Sequence, residues 1–318
     1  MILAMLSWGS WANTMKLVPR WPFQLFYWED YVIGVLLVSL TAGLTLGSLD
    51  SGPDSFLVDL RSAGPRELGY ALAAGAIFNV ANLLLVAAIS IAGLAVAFPV
   101  GIGLALVVGV VLNYVLAPTG NPFLLFGGVV LVSAAIVVDA LAFKRRDGAA
   151  SAQSSRGIWI SIACGLLMGS FFPLVTRATA GPAGLGPYGV AAVFGCGVLI
   201  CAIPTNFYLM RRPVTADSPT SMRQYFEGGL REHLSGVAGG AIWGLGALSS
   251  FVAAHASIVG PAISYAMGQG ATMVSATWGV FVWKEFAGAP APAVRLLPPM
   301  FILFFLGLSA VAVAPLFK

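Results

Sequence analysis

Few side chains in this 318-residue sequence can do chemistry, and most stand alone in apolar surroundings. Glu29 and Asp30 are adjacent. Glu29 lies nine residues past Arg20, roughly 13 Å along a helix, too deep in a membrane for a short carboxylate to reach water easily. A carboxylate there either pairs with a base, for which Lys16 is in place, or exchanges a proton. Glu29 and Asp30 are therefore proton-coupling candidates, and His255 is a third because imidazole titrates near neutrality. Asp139 is expected to pair with Lys144 or Arg145, and Lys284 with Glu285 reads as an interfacial anchor. A second set of residues suits hydrogen bonding to a neutral solute. Trp8 and Asn13 offer an indole face, an amide and donors. Asn79 and Asn82 are three apart, on one helix face, and bind either a neighbouring helix or a solute. Trp243 carries a further indole. Tyr265 and Gln269 are four apart, so a ring and an amide share a stripe with Thr272 and Met273. Pro99, Gly101, Gly103, Pro261 and Gly268 are candidate helix hinges, since proline removes a backbone donor and glycine permits bending.

The elements that must hold these groups are read from composition. Hydrophobic residues make up 59% of the chain and charged residues 9%; mean hydropathy is +0.93. From Gly69 to Phe143 the single carboxylate is Asp139, with no Lys or Arg; from Gly236 to Trp283 the one basic side chain is His255. A bilayer, not water, is the solvent for such segments. Ten spans are expected, at 1–17, 23–48, 69–92, 95–117, 122–143, 157–175, 187–210, 236–257, 260–283 and 293–315. Of the 16 Lys and Arg residues, 12 fall in the loops after odd-numbered spans; Arg61, Arg66, Arg177 and Lys318 fall in the even loops or at the end. The positive-inside rule places the odd loops in the cytoplasm and both termini outside it. The excess of four positive charges is thus a matter of orientation, and no nucleic-acid partner is expected. The 211–235 loop carries Met222, Tyr225, Phe226, Leu230 and Leu234 near helical spacing and either lies in the membrane interface or is solvated.

The two halves of the chain resemble each other. Gly75–Ala76–Ile77–Phe78 repeats as Gly240–Ala241–Ile242–Trp243, and the same offset aligns Gly103 with Gly268. Residues 1–143 form one five-helix repeat, 144–156 a charged linker of small residues, and 157–318 the second repeat. An odd number of spans inverts the second copy, as in secondary transporters. The fold class is therefore all-α polytopic membrane protein, with ten transmembrane helices as two inverted five-helix repeats.

This plan resembles the drug/metabolite transporter superfamily. Within it, Met5–Thr14 (MLSWGSWANT) and Phe26–Gly34 (FYWEDYVIG) are similar to the ureide permeases. Ala95–Gly103 and Gly279–Phe286 (GVFVWKEF) resemble the L-rhamnose and glucose/ribose porters. The resemblance implies proton-linked or facilitated movement of a small polar solute such as a sugar or ureide. The expected function is a permease of the cell membrane working by alternating access, whose partners are that solute, protons and lipid. An exporter of the same superfamily is the alternative. A membrane enzyme is disfavoured: no phosphate-binding loop, nucleophile–base set or metal-ligand spacing is present, and Cys164, Cys196 and Cys201 sit apart in apolar segments. No cofactor is expected.

Overall fold

The computed structural model describes residues 1–21, 27–49, 52, 55–92, 96–97, 99–147, 155–212, 221–256 and 258–317. Phe26, Ala95, Lys318 and most of the 144–156 linker lie outside the described residues, which are helical with no strand. The helices are α1 (Ile2–Ser10), α2 (Trp28–Leu44), α3 (Phe56–Ser62), α4 (Pro65–Ala92), α5 (Leu104–Leu116), α6 (Pro122–Asp147), α7 (Ser155–Ala178), α8 (Pro187–Arg211), α9 (Met222–Phe226), α10 (Leu230–His255), α11 (Gly260–Gly268), α12 (Ala271–Thr277), α13 (Ala291–Val294) and α14 (Leu297–Val313).

Among the described residues, eight helices are long and apolar enough to cross a membrane, running from Trp28–Ser48 to Ala291–Leu316. Large apolar side chains such as Val130, Trp159, Ile200, Ile203 and Phe305 are exposed on them, as lipid-facing positions require. The chain is a multi-pass membrane protein. The expected first and ninth spans are not continuous helices. In the first, α1 gives way to a 3-10 segment at Trp11–Leu17. There Asn13 donates to the Ser10 carbonyl at 2.9 Å and Thr14 to that of Trp11 at 2.9 Å, so side chains compete for the backbone. The ninth is interrupted at Gln269–Gly270, between α11 and α12, and ends in a π turn at Trp278–Val282. A second π turn, Pro99–Gly103, leads into α5.

The packing partners exchange between the halves. Helix α4 lies along α7 and α8, while α10 lies along α1 and α2; α5 meets α7, and α12 meets α1. Helix α6 pairs with α14. Glycine sets the closest approaches. A methyl at Gly75 would run into the Phe194 carbonyl, and one at Gly197 into that of Leu72. At the matching contact, a methyl at Gly240 would meet the Tyr31 carbonyl, and one at Gly34 that of Val237. Gly75 and Gly240 are thus the same device in both halves, letting two backbones touch without side chains between them. Gly240→Ala is expected to cost about 1–3 kcal/mol through overpacking, read as a lower melting temperature in detergent. Gly127→Ala, where an added methyl meets nothing within 4 Å, should leave it unchanged.

The loops gather at two ends. At one, Gly64 donates to the Ala183 carbonyl at 3.0 Å, Asn121 to that of Ala314 at 2.8 Å, and the Gly186 N–H to Asp59 at 2.9 Å. At the other, the basic end, Lys16 meets Glu285 and Arg145 meets the Pro292 carbonyl.

Candidate functional site

The two interrupted spans meet at the centre of the bundle. Between α1, α4, α7, α10 and the α11–α12 break lies a chamber of about 230 Å³. One wall is aromatic. Trp8 stacks on Trp243 with ring centres 5.7 Å apart, Phe78 is 4.2 Å from Trp243, and Phe171 is 5.4 Å from Phe78. The Trp8 indole donates to the Trp243 carbonyl at 3.2 Å, which fixes its ring. Gly246 and Gly268 make room for that ring, since a Cβ at either would press on it. The polar lining residues are Asn82, Gln269, Thr272 and Ser275. Asn82 donates to the Phe78 carbonyl at 3.2 Å and Thr272 to that of Gln269 at 2.8 Å. The Gln269 amide has no hydrogen-bond partner among the described residues, and the helix break at its own position turns it inward. None of the lining residues is acidic or basic. Such a chamber can stack a small neutral ring and bond its edge, and its volume lies below the roughly 300–1,000 Å³ usual for pockets of drug-sized ligands.

Of the residues singled out by sequence, the structure brings Trp8, Asn82, Trp243, Tyr265, Gln269 and Gly268 to this chamber. Tyr265 contributes its ring alone: its buried hydroxyl sits 3.2 Å from the carbonyls of Ala105 and Met168. Asn79 is not at the chamber. It is fully buried, accepting from the Trp28 indole at 2.7 Å and donating to Thr205 at 3.1 Å, and so ties α2, α4 and α8 together. Asn13 lies one compartment away, accepting from the Trp283 indole at 2.6 Å. Among the hinge candidates, Pro99, Gly101 and Gly103 form the π turn, Pro261 stands in the first turn of α11, and Gly268 ends α11.

A vestibule of about 210 Å³ adjoins the chamber and shares Gly9, Ala12, Thr272 and Ser275 with it. It runs to the basic end, where Lys16 bonds Glu285 at 2.7 Å and Arg146 reaches the other oxygen of Glu285 at 3.4 Å. Lys284 adopts a left-handed φ of 51°, turning the chain so that the Glu285 N–H donates to the Gly279 carbonyl at 2.9 Å. Lys16 therefore pairs with Glu285, 269 residues away, rather than with Glu29. Asp139 stands on the vestibule wall. It is 6% exposed and has no ion pair or hydrogen bond among the described residues. The expected partners are elsewhere: Arg145 donates to the Pro292 carbonyl at 3.3 Å, and Lys144 is exposed.

Asp30 is 2% exposed and saturated with donors. It accepts from the Trp21 indole at 3.2 Å, the Tyr225 hydroxyl at 2.7 Å and His233 Nδ1 at 2.8 Å. The rings pack on one another, with Tyr225 and His233 4.8 Å apart edge to face. Burial, then the neighbouring carboxylate, pushes the Tyr225 phenol well above its ordinary range. This cluster fastens the 222–233 segment to α2. Sequence reasoning passed over His233. The available signal was the demand of a buried acid for a base, in a chain with two histidines. Glu29 is half-buried near the start of α2 and faces Asn206 of α8, whose two buried amide atoms lack a hydrogen-bond partner. His255 is exposed at the far end of α10.

No family model matches the chain. Over 117 residues it is 29% identical to a ureide permease, Ureide permease 1 of Arabidopsis thaliana; the similarity takes in 36% of this chain and 30% of that protein. One solved crystal structure, whose description names no function, superposes over 99% of this chain and 94% of its own, with a TM-score of 0.64 and 18% identity. The two share a fold.

Proposed function

We propose that the protein is a secondary transporter that carries a small, neutral, polar solute through the central chamber by alternating access. The observation that carries this reading is the chamber itself. An aromatic stack and an unpaired Gln269 amide line one chamber, with no acidic or basic side chain among its described lining residues, in the core of a multi-pass membrane protein. A planar heterocycle with N–H and C=O edges, such as a ureide or nucleobase, uses both; a sugar uses the amides and one ring face. The part-length similarity to a ureide permease supports the first. Interrupted helices at a central site are the common device of such carriers, because freed backbone groups and hinges occur where the solute sits.

The exchange of packing partners between halves, and the matched contacts of Gly75 and Gly240, support two five-span repeats, the interrupted first and ninth spans included. With the odd loops cytoplasmic, the vestibule opens the chamber toward the cytoplasm.

Uptake into proteoliposomes of labelled allantoin, uracil and L-rhamnose tests the reading. Saturable uptake of at least one, competed by its unlabelled form, is expected; uptake of none above empty vesicles contradicts it. For the transported solute, Gln269→Ala should weaken binding about fivefold, the equivalent of roughly 1 kcal/mol for one hydrogen bond. Isothermal titration on purified protein reads this directly.

A further inference from the structure

We propose that Asp139 is the proton-binding site that drives the carrier, a role that rests on the transporter reading above. Asp139 is more than nine-tenths buried, its carboxylate lines the vestibule, and no cation or hydrogen-bond donor among the described residues meets it. The vestibule it lines is apolar at Gly9, Ala12, Phe143, Ala276 and Gly279, and polar at Asn13, Thr272 and Ser275, with Lys16 and Glu285 also on its wall. An ionised carboxylate in such a place is costly, and the cost is removed by taking up a proton.

The charged groups near it are accounted for. From the segment after α1 comes Lys16, from the turn after α12 comes Glu285, and from α6 itself comes Arg146; both cations bind Glu285, one at each carboxylate oxygen. Lys144 and Arg295 are exposed, and Arg145 is held by the Pro292 carbonyl. Helix α14, packed along α6, carries no titratable residue. Asp139 thus has a path to water past the Lys16–Glu285 pair but no fixed counter-charge.

Coupling follows from the shared wall. Gly9, Ala12, Thr272 and Ser275 line both chamber and vestibule, so α1 and α12 cannot close on a solute without also closing on Asp139. Closing strips the remaining water from the carboxyl group. The neutral acid tolerates this and the carboxylate does not, so the bundle reorients when Asp139 carries its proton. On reopening, the proton passes from the carboxyl oxygen to water, leaving the carboxylate.

Two measurements on the full chain test this. Infrared difference spectra of detergent-purified protein between alkaline and acidic buffer should show a protonated-carboxyl band in wild type and Glu29→Gln that is missing in Asp139→Asn. Persistence of the whole band in Asp139→Asn, or its disappearance in Glu29→Gln instead, overturns the assignment. In proteoliposomes with labelled allantoin, Asp139→Asn should lose accumulation driven by a pH gradient while counterflow at equal pH persists, and Asp139→Glu should recover part of the accumulation. Wild-type accumulation by Asp139→Asn overturns the proposal. Wild-type protein that moves none of allantoin, uracil or L-rhamnose defeats the transporter reading instead, and the infrared spectra still decide whether Asp139 takes the proton.

Discussion

Replacing Asp30 with alanine should lower the stability of the folded protein by about 1–3 kcal/mol, the range for leaving a buried hydrogen-bonding group unsatisfied. Asp30 accepts hydrogen bonds from Trp21, Tyr225 and His233, and all three donors lose their partner at once. The 222–233 segment should come loose from α2. Thermal unfolding in detergent measures the loss, and protease sensitivity in residues 222–233 locates it. A double variant, Asp30→Leu with His233→Leu, should recover part of the stability, because the buried acceptor and one of its donors are replaced together by apolar groups. Arg223, exposed and paired with Glu227 across one helical turn, serves as the contrast: Arg223→Ala should leave the unfolding temperature unchanged, as exposed pairs contribute little. An Asp30→Ala protein as stable as wild type would contradict the role given to this cluster.

Trp243→Ala should have the second large effect. Trp243 is 7% exposed and touches Trp8, Phe78 and Phe194 with its ring, so its truncation leaves a cavity where three aromatic groups meet. Loss of a buried aromatic costs about 3–5 kcal/mol. The stack that presents Trp8 to the chamber goes with it, so solute binding should fall below detection. Trp243→Phe separates the two effects. It keeps most of the buried surface, so folding should survive, while the narrower ring stacks less well on Trp8 and the affinity for the solute should drop. Titration of purified protein against the transported solute reads the affinity, and size-exclusion chromatography reads the fold. Equal affinity in Trp243→Phe and wild type would remove this ring from the solute's surface.

The helices were legible because lipid leaves a long signature: uncharged stretches of span length can be read from composition alone. The motif match between Gly75–Phe78 and Gly240–Trp243 was legible too, but the close backbone contact at each glycine was not, because a motif does not say which helix lies against it. That Trp8, Trp243 and Gln269 turn toward protein was legible because polar and amphipathic groups in apolar helices are costly against lipid. What stayed hidden were the partners. Asp139 looked paired because Lys144 and Arg145 are near in sequence, yet on the helix they lie beyond the vestibule and turn outward. Lys16 looked matched to Glu29 across one loop, and instead meets Glu285 at the other end of the chain. Asn79 looked open to solute, and Trp28 and Thr205 occupy its amide. Periodicity says which face a residue is on, but not which helix covers that face. The interruption of the first span was equally hidden, because it depends on Asn13 and Thr14 taking backbone carbonyls that a helix would use.

Thiol modification of a Ser275→Cys variant tests the chamber most directly. Ser275 is exposed and lines both compartments, while the native Cys164 is buried and the partly exposed Cys196 and Cys201 line neither compartment. A small hydrophilic thiol reagent should stop uptake of whichever of allantoin, uracil and L-rhamnose is carried in Ser275→Cys proteoliposomes and leave wild type active, and the same solute unlabelled should slow the modification. Full modification at this position with undiminished uptake would contradict a solute path through the chamber.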